Sequence, residues 1–195
     1  MAGRIKLRIW LPFVATQSID TRRGFVWAAR VGRWPLTISG SDRYLDGAGA
    51  MDWNLWGRRR LVAASGSDVT RSAAWRFAAE ALTWLPGKSP DVTWRAGPSR
   101  DVATAVRQVG SESACIDLRT APDGRLVSVT GPRWGNPLGR PFGYYPFGVD
   151  LHAETTSGGV TVPSAFTARW FPDGPDQAAG EFLRATITDV HFGAD

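Results

Sequence analysis

The sequence predicts a mainly β, α+β fold: a large curved antiparallel sheet, or unclosed β-barrel, with one main helix covering or plugging its concave face. Three observations predict it. Short segments of alternating apolar and polar residues recur through most of the chain, separated by Gly, Pro, Asp and Ser, which is the pattern of strands joined by hairpins. A single interval of helical periodicity interrupts them. Tryptophan is unusually abundant, with 10 in 195 residues, and falls mainly on the expected strands.

The alternation predicts strands over 3–10, 12–20, 24–31, 37–46, 49–56 and 59–65, and then over 91–97, 102–110, 114–121, 125–132, 144–156, 160–171 and 181–192. Turn chemistry supports several joints: Asp46-Gly47, Pro122-Asp123-Gly124, Ser157-Gly158-Gly159 and Pro172-Asp173-Gly174. The interruption reads as a helix over 69–84, with Ser67 or Asp68 available as a cap and Pro86-Gly87 ending it. Val69, Trp75, Ala78, Ala79 and Leu82 repeat at helical steps, and Phe77, Ala81 and Trp84 widen the apolar face. Such a helix lies against the sheet rather than in open water. Residues 131–148, rich in Gly, Pro and aromatics, read as a long loop, and long loops often carry function. With no repeat and no low-complexity linker, residues 1–195 are expected to form one domain.

Side chains two apart on a strand share a face. Phe25, Trp27, Ala29 and Val31 therefore form one apolar stripe, and Met51, Trp53 and Leu55 another. One helix is too small to cover the apolar face of so many strands. The remainder must close on itself, pair with a second copy as a homodimer, or line a cavity for a hydrophobic guest. Pockets of that kind are apolar and aromatic with a few placed polar groups. The expected ligand-binding residues are Trp27, Tyr44, Met51, Trp53, Trp84 and Trp134.

Composition narrows the function classes. Apolar residues make up 43% and charged residues 21%, as in an ordinary globular protein. Cys115 is the only cysteine, which rules out an internal disulfide, and its apolar neighbours Ala114 and Ile116 suggest a buried strand position. The first residues alternate charged and apolar, unlike a signal peptide, and no window approaches the roughly 18 apolar residues of a membrane span, so a cytoplasmic protein without an integral membrane segment is expected. The net charge of +5 rests on 21 Arg and 2 Lys, 23 in all. They are scattered apart from Arg58-Arg59-Arg60, whereas nucleic-acid binders gather basic residues on one face, so no nucleic-acid partner is expected.

Both histidines follow an Asp by two residues, as Asp150-Leu151-His152 and Asp189-Val190-His191. On a strand each Asp would share a face with its His and could orient it or raise its basicity, as general acid–base work requires. Asp189 and His191 share their face with the apolar Ile187, Ala185 and Leu183, where unpaired polar groups are costly. Tyr144, at the end of the aromatic segment, could place a phenol at a cavity mouth. These five residues, Tyr144, Asp150, His152, Asp189 and His191, are the candidate catalytic set. Spacing shows no third metal ligand, and the phosphate-loop, dinucleotide-binding, nucleophile-elbow and Cys-x-x-Cys templates are missing, so neither metal nor cofactor is expected.

Several motifs also carry a family resemblance. Gly24-Phe25-Val26-Trp27-Ala28-Ala29-Arg30-Val31, Asp42-Arg43-Tyr44-Leu45-Asp46-Gly47-Ala48-Gly49-Ala50-Met51, Ala79-Glu80-Ala81-Leu82-Thr83-Trp84-Leu85-Pro86, and Gly159-Val160-Thr161-Val162-Pro163 followed by Ala168-Arg169-Trp170 resemble, in order, segments of a bacterial family known as a domain of unknown function. Residues 133–148 depart from its usual pattern. The resemblance implies a shape similar to the lipoprotein carriers LolA and LolB: an unclosed β-barrel with helical cover around a hydrophobic cavity. It implies no reaction.

Two functions remain open. The chain could bind a lipid-like or polyketide-like molecule in an aromatic cavity. Alternatively, it could be a cofactor-free cyclase or isomerase of secondary metabolism, shaping a hydrophobic substrate with the help of one or two polar groups. A third reading makes the apolar face an interaction surface.

Overall fold

Hairpin chemistry dictates most of the architecture. In the computed structural model, which describes residues 1–85, 87–89 and 91–193, Asp46 and Gly47 both take positive φ (48° and 89°), the conformation that joins two twisted strands in a two-residue turn. Successive turns fold the chain into β1 (Ala2–Lys6), β2 (Trp10–Asp20), β3 (Gly24–Arg33), β4 (Leu36–Leu45), β5 (Ala48–Leu55) and β6 (Arg59–Ser65). The helix α1 (Ser67–Trp84) follows. Seven more strands complete the fold: β7 (Val92–Ala96), β8 (Val102–Val109), β9 (Glu112–Thr120), β10 (Leu126–Gly135), β11 (Gly143–Ser157), β12 (Val160–Trp170) and β13 (Glu181–Thr186).

The strands form one 13-stranded sheet in the order β6-β5-β4-β3-β2-β1-β13-β12-β11-β10-β9-β8-β7. It is two meanders joined where β1 pairs with β13, and every described neighbour pair is antiparallel. The sheet does not close into a barrel: β6 and β7 remain edges, and α1 connects them in sequence. The helix touches β4, β5 and β6 on one side and β8, β9, β10 and β12 on the other, so it lies inside the curve of the sheet. Its Ala73, Ala74, Trp75, Phe77, Ala78, Ala79, Ala81 and Leu82 are buried there. Small residues make the close approach possible. A Cβ on Gly49 of β5 would stand 2.7 Å from Thr70 Cα and 2.8 Å from the Val69 carbonyl oxygen, and the Gly49 N–H donates to Thr70 Oγ1 at 3.0 Å.

All thirteen expected strands exist, and four local expectations are corrected. Gly66, not Ser67 or Asp68, stands at the helix N-cap, and no side chain caps it; the Asp68 carboxylate instead accepts from Trp134 Nε1 at 2.9 Å. The expected stop at Pro86 lies outside the described residues; Leu85 is the C-cap, donating its N–H to the Ala81 carbonyl. Residues 131–148 are not a loop. β10 runs on to Gly135 and β11 starts at Gly143, closed by a 3-10 turn at Pro137–Gly139. Pro132 sits opposite Pro146, so two residues lacking an N–H share a rung and the ladder tolerates both. The last strand ends at Thr186 rather than 192, after which the chain leaves the sheet. Cys115 is exposed, because its neighbours Ala114 and Ile116 take the buried face of β9.

Candidate functional site

The site begins with the register of β2–β5. Gln17 pairs with Trp27, Trp27 with Asp42, and Asp42 with Met51. Directly opposed residues project to the same face, so Gln17, Trp27, Asp42 and Met51 form a row across four strands on the concave side. In the neighbouring row Gly40 opposes Trp53, and the Trp53 ring occupies the space a side chain on Gly40 would need. That indole donates to Asp42 Oδ1 at 2.8 Å and leans on Trp27 with ring centroids 5.8 Å apart.

The helix supplies the cation for this row. Arg76 Nε donates to Glu80 Oε1 at 2.7 Å, Nη1 reaches Asp42 Oδ2 at 3.4 Å and Nη2 reaches Gln17 Oε1 at 3.3 Å. Gln17 Nε2 closes the ring by donating to Glu80 Oε2 at 2.7 Å. The guanidinium also lies 4.5 Å from the Phe25 ring centroid. Burial opposes the Arg76 charge, but Glu80 and Asp42 outweigh it and hold the group above its ordinary value. Two carboxylates are thus kept inside an aromatic wall by one arginine, the pairing that buried charge requires.

These groups line a cavity of about 1310 Å³ between helix and sheet, large enough for a lipid-sized molecule. Its walls are mostly apolar: Phe25, Trp27, Trp75, Trp84, Phe147, Val149, Phe166, Trp170, Phe182 and Leu183 all contribute. Aromatic edges interlock around it, with Phe147 against Trp75 at 5.3 Å and Trp170 at 5.1 Å, and Phe166 against Trp84 at 5.4 Å. A second charge, Arg133 of β10, stands in the opposite wall. It lies 4.6 Å from the Phe147 centroid and 5.6 Å from that of Trp170, and its Nε donates to the Ser72 carbonyl at 3.3 Å. Burial, helped by the nearby Arg76 charge, lowers it to about 10.

The eleven residues singled out from sequence are dispersed. Trp27, Met51 and Trp84 line the cavity, and Trp53 packs behind its wall. The Trp84 indole donates to the Pro163 carbonyl at 2.9 Å. Tyr44 is buried elsewhere, stacked on Phe77 at 5.5 Å beside a separate cleft of about 520 Å³. Arg107 borders that cleft; it is 3% exposed, stacks on Phe77 and donates to the Thr21 carbonyl, while its Nε and Nη1 meet no acceptor. Trp134 points to the other face of β10 from Arg133, where Arg71 covers its ring. Tyr144, exposed beside Trp134, donates to Glu112 Oε2 at 3.1 Å; burial and that bond raise its pKa.

The two Asp–His pairs differ. Asp150 pairs with Arg169 at 2.6 Å and His152 with Thr167 Oγ1 at 2.9 Å, on the opposite side of β11 from buried Leu151, so two separate contacts replace the expected one. Asp189 and His191 do bond, Oδ2 to Nε2 at 2.8 Å, in the exposed segment beyond β13, at the rim of the cavity. Among the described residues, no three His, Cys, Asp or Glu side chains converge in a metal-binding cluster, and no helix is long and apolar enough to cross a membrane.

Sequence reasoning missed the polar core of the site: Gln17, Asp42, Arg76, Glu80 and Arg133. A signal was available. Gln17 and Asp42 fall on the inward positions of otherwise apolar stripes, Arg133 shares a face with Val129, and Arg76 and Glu80 are four apart on an apolar helix.

Comparison with known proteins places the chain by its sequence. No curated protein and no solved structure matches it. A family profile does, over residues 1–192, which is nearly the whole chain. The chain belongs to the Family of unknown function (DUF6920).

Proposed function

We propose that the protein binds a hydrophobic small molecule, lipid-like or polyketide-like, in the cavity between α1 and the sheet. The cavity itself carries this reading: about 1310 Å³ walled mainly by aromatic and aliphatic side chains. Apolar burial is worth about 25 cal/mol per Å², so a guest filling such a space gains affinity without any specific bond. The family resemblance of the sequence implies a shape like that of the lipoprotein carriers, and an open sheet with a helix in its curve suits an apolar guest in the same way. Protein purified without detergent, extracted with organic solvent and analysed by mass spectrometry, should release a stoichiometric apolar compound. Recovery of none, together with no uptake of added alkyl or polycyclic compounds, would contradict the reading.

A second reading, a cofactor-free cyclase or isomerase, draws on one observation: the Asp42 and Glu80 carboxylates project into the same space. Paired with Arg76, they are placed to accept a proton from a bound substrate. On this reading Asp42→Asn and Glu80→Gln abolish turnover of the extracted compound but leave its binding intact.

A further inference from the structure

Arg43, Arg76 and Arg133 line the cavity; Arg43 is exposed, and of the other two only Arg76 is neutralised by contact. Arg76 engages Glu80, Asp42 and Gln17. Arg133 uses Nε on the Ser72 carbonyl and, among the described residues, forms no ion pair and gives its two terminal nitrogens no protein acceptor. Those nitrogens belong to a residue lining the cavity. Its flanks are the Phe147 and Trp170 rings, which hold the guanidinium plane by cation–π contact without supplying negative charge. A guanidinium is weakly hydrated, planar and suited to grip a carboxylate with two parallel N–H bonds.

We propose that the guest is an anionic amphiphile, a monocarboxylate with a long or polycyclic apolar body, whose head group docks on Arg133 while the body fills the aromatic cavity. This inference rests on the binding reading above and names its ligand class. A single negative charge suits the site better than a phosphate monoester dianion. Arg133 is the one unpaired guanidinium set among the aromatic rings, exposed Arg43 apart, and the carboxylates of Asp42 and Glu80 share the cavity, so a second charge on the head group would face them. The lowered proton affinity of Arg133 agrees, since burial and the Arg76 charge outweigh the pull of Glu80 and Asp42 on it. It remains protonated at neutral pH and available to an anion.

The test compares matched pairs of probes. Palmitate is titrated beside hexadecanol and hexadecyl phosphate, and pyrenebutyrate beside pyrenebutanol, following tryptophan quenching or energy transfer; sodium acetate supplies the head without the body. The proposal expects each carboxylate to bind at least about tenfold tighter than its alcohol, acetate not to bind measurably, and hexadecyl phosphate to bind no better than palmitate. In Arg133→Met the carboxylate advantage disappears and the alcohols still bind, which shows that the cavity is intact. Arg133→Lys keeps part of the advantage. Equal affinity of acid and alcohol in the wild type, or an advantage that survives Arg133→Met, overturns the proposal and leaves the binding reading standing. Tighter binding of the phosphate overturns the choice of carboxylate. Failure of every probe to bind overturns both readings.

Discussion

Glu80 Oε2 accepts a hydrogen bond from Gln17 Nε2 at 2.7 Å across 63 residues of sequence, and this contact ties the C-terminal half of α1 to β2. With Arg76 as the shared partner, sheet and helix meet through a closed polar ring inside an apolar wall. The ring is the polar joint between helix and sheet at the cavity.

Removing the cation should therefore cost more than removing the ring. Arg76→Met strands two mostly buried carboxylates, and losing one partner of a buried ion pair costs on the order of 3 kcal/mol or more. The triple change Arg76→Met, Glu80→Gln, Asp42→Asn leaves no stranded charge and should recover much of that loss. Urea denaturation of the two variants checks the order; a triple variant less stable than Arg76→Met alone would contradict it.

Helix docking depends on the bare backbone of Gly49. A methyl group there meets Thr70 Cα and the Val69 carbonyl at under 3 Å. Overpacking of this kind costs roughly 1–3 kcal/mol, so Gly49→Ala should lower the urea midpoint. A neutral Gly49→Ala would mean that the first turn of α1 lies farther from β5.

Alkaline pH should loosen the fold through Tyr44. Burial raises its pKa above the ordinary 10, against a smaller opposing pull from Arg107. A raised folded pKa means that its stabilising contribution is complete below pH 10 and is lost as pH climbs through the folded value. Tyr44→Phe cannot ionise and should lose less stability than wild type between neutral pH and pH values above 10. Parallel stability–pH curves for the two proteins would contradict this.

Cys115 is expected to react stoichiometrically with a thiol reagent under native conditions, since its side chain is on the outer face of β9. Reaction only after denaturation would show it buried.

How far the sequence reveals the molecule differs between fold and site. Period-two alternation marks the central strands, because their inner face is mainly apolar: Phe25, Trp27, Ala29 and Val31 are all buried as that pattern implies. It fails at strand ends, where pairing rather than pattern decides. Residues 187–192 keep a strand-like pattern, but the chain leaves the sheet after Thr186. The Gly/Pro-rich 131–148 segment looks like a loop by composition, yet cross-strand pairs such as Trp134–Tyr144 keep it in the sheet. Site residues were harder still. Trp27, Met51 and Trp84 were readable as apolar lining, whereas Arg133 acquires meaning only from its place between Phe147 and Trp170, far from Arg76 in sequence.

The central claim is that the space between α1 and the sheet holds an apolar guest. Titration of hexadecanol into wild type, Ala168→Phe and Ala15→Phe tests it most directly, because both alanines are buried in the cavity wall and a phenyl ring at either fills part of the volume. The account predicts saturable one-to-one binding to the wild type and affinity weakened by about tenfold or more in each variant that retains the native circular dichroism, a loss of roughly 1.4 kcal/mol. Non-saturating binding, or equal affinity in all three proteins, would contradict it.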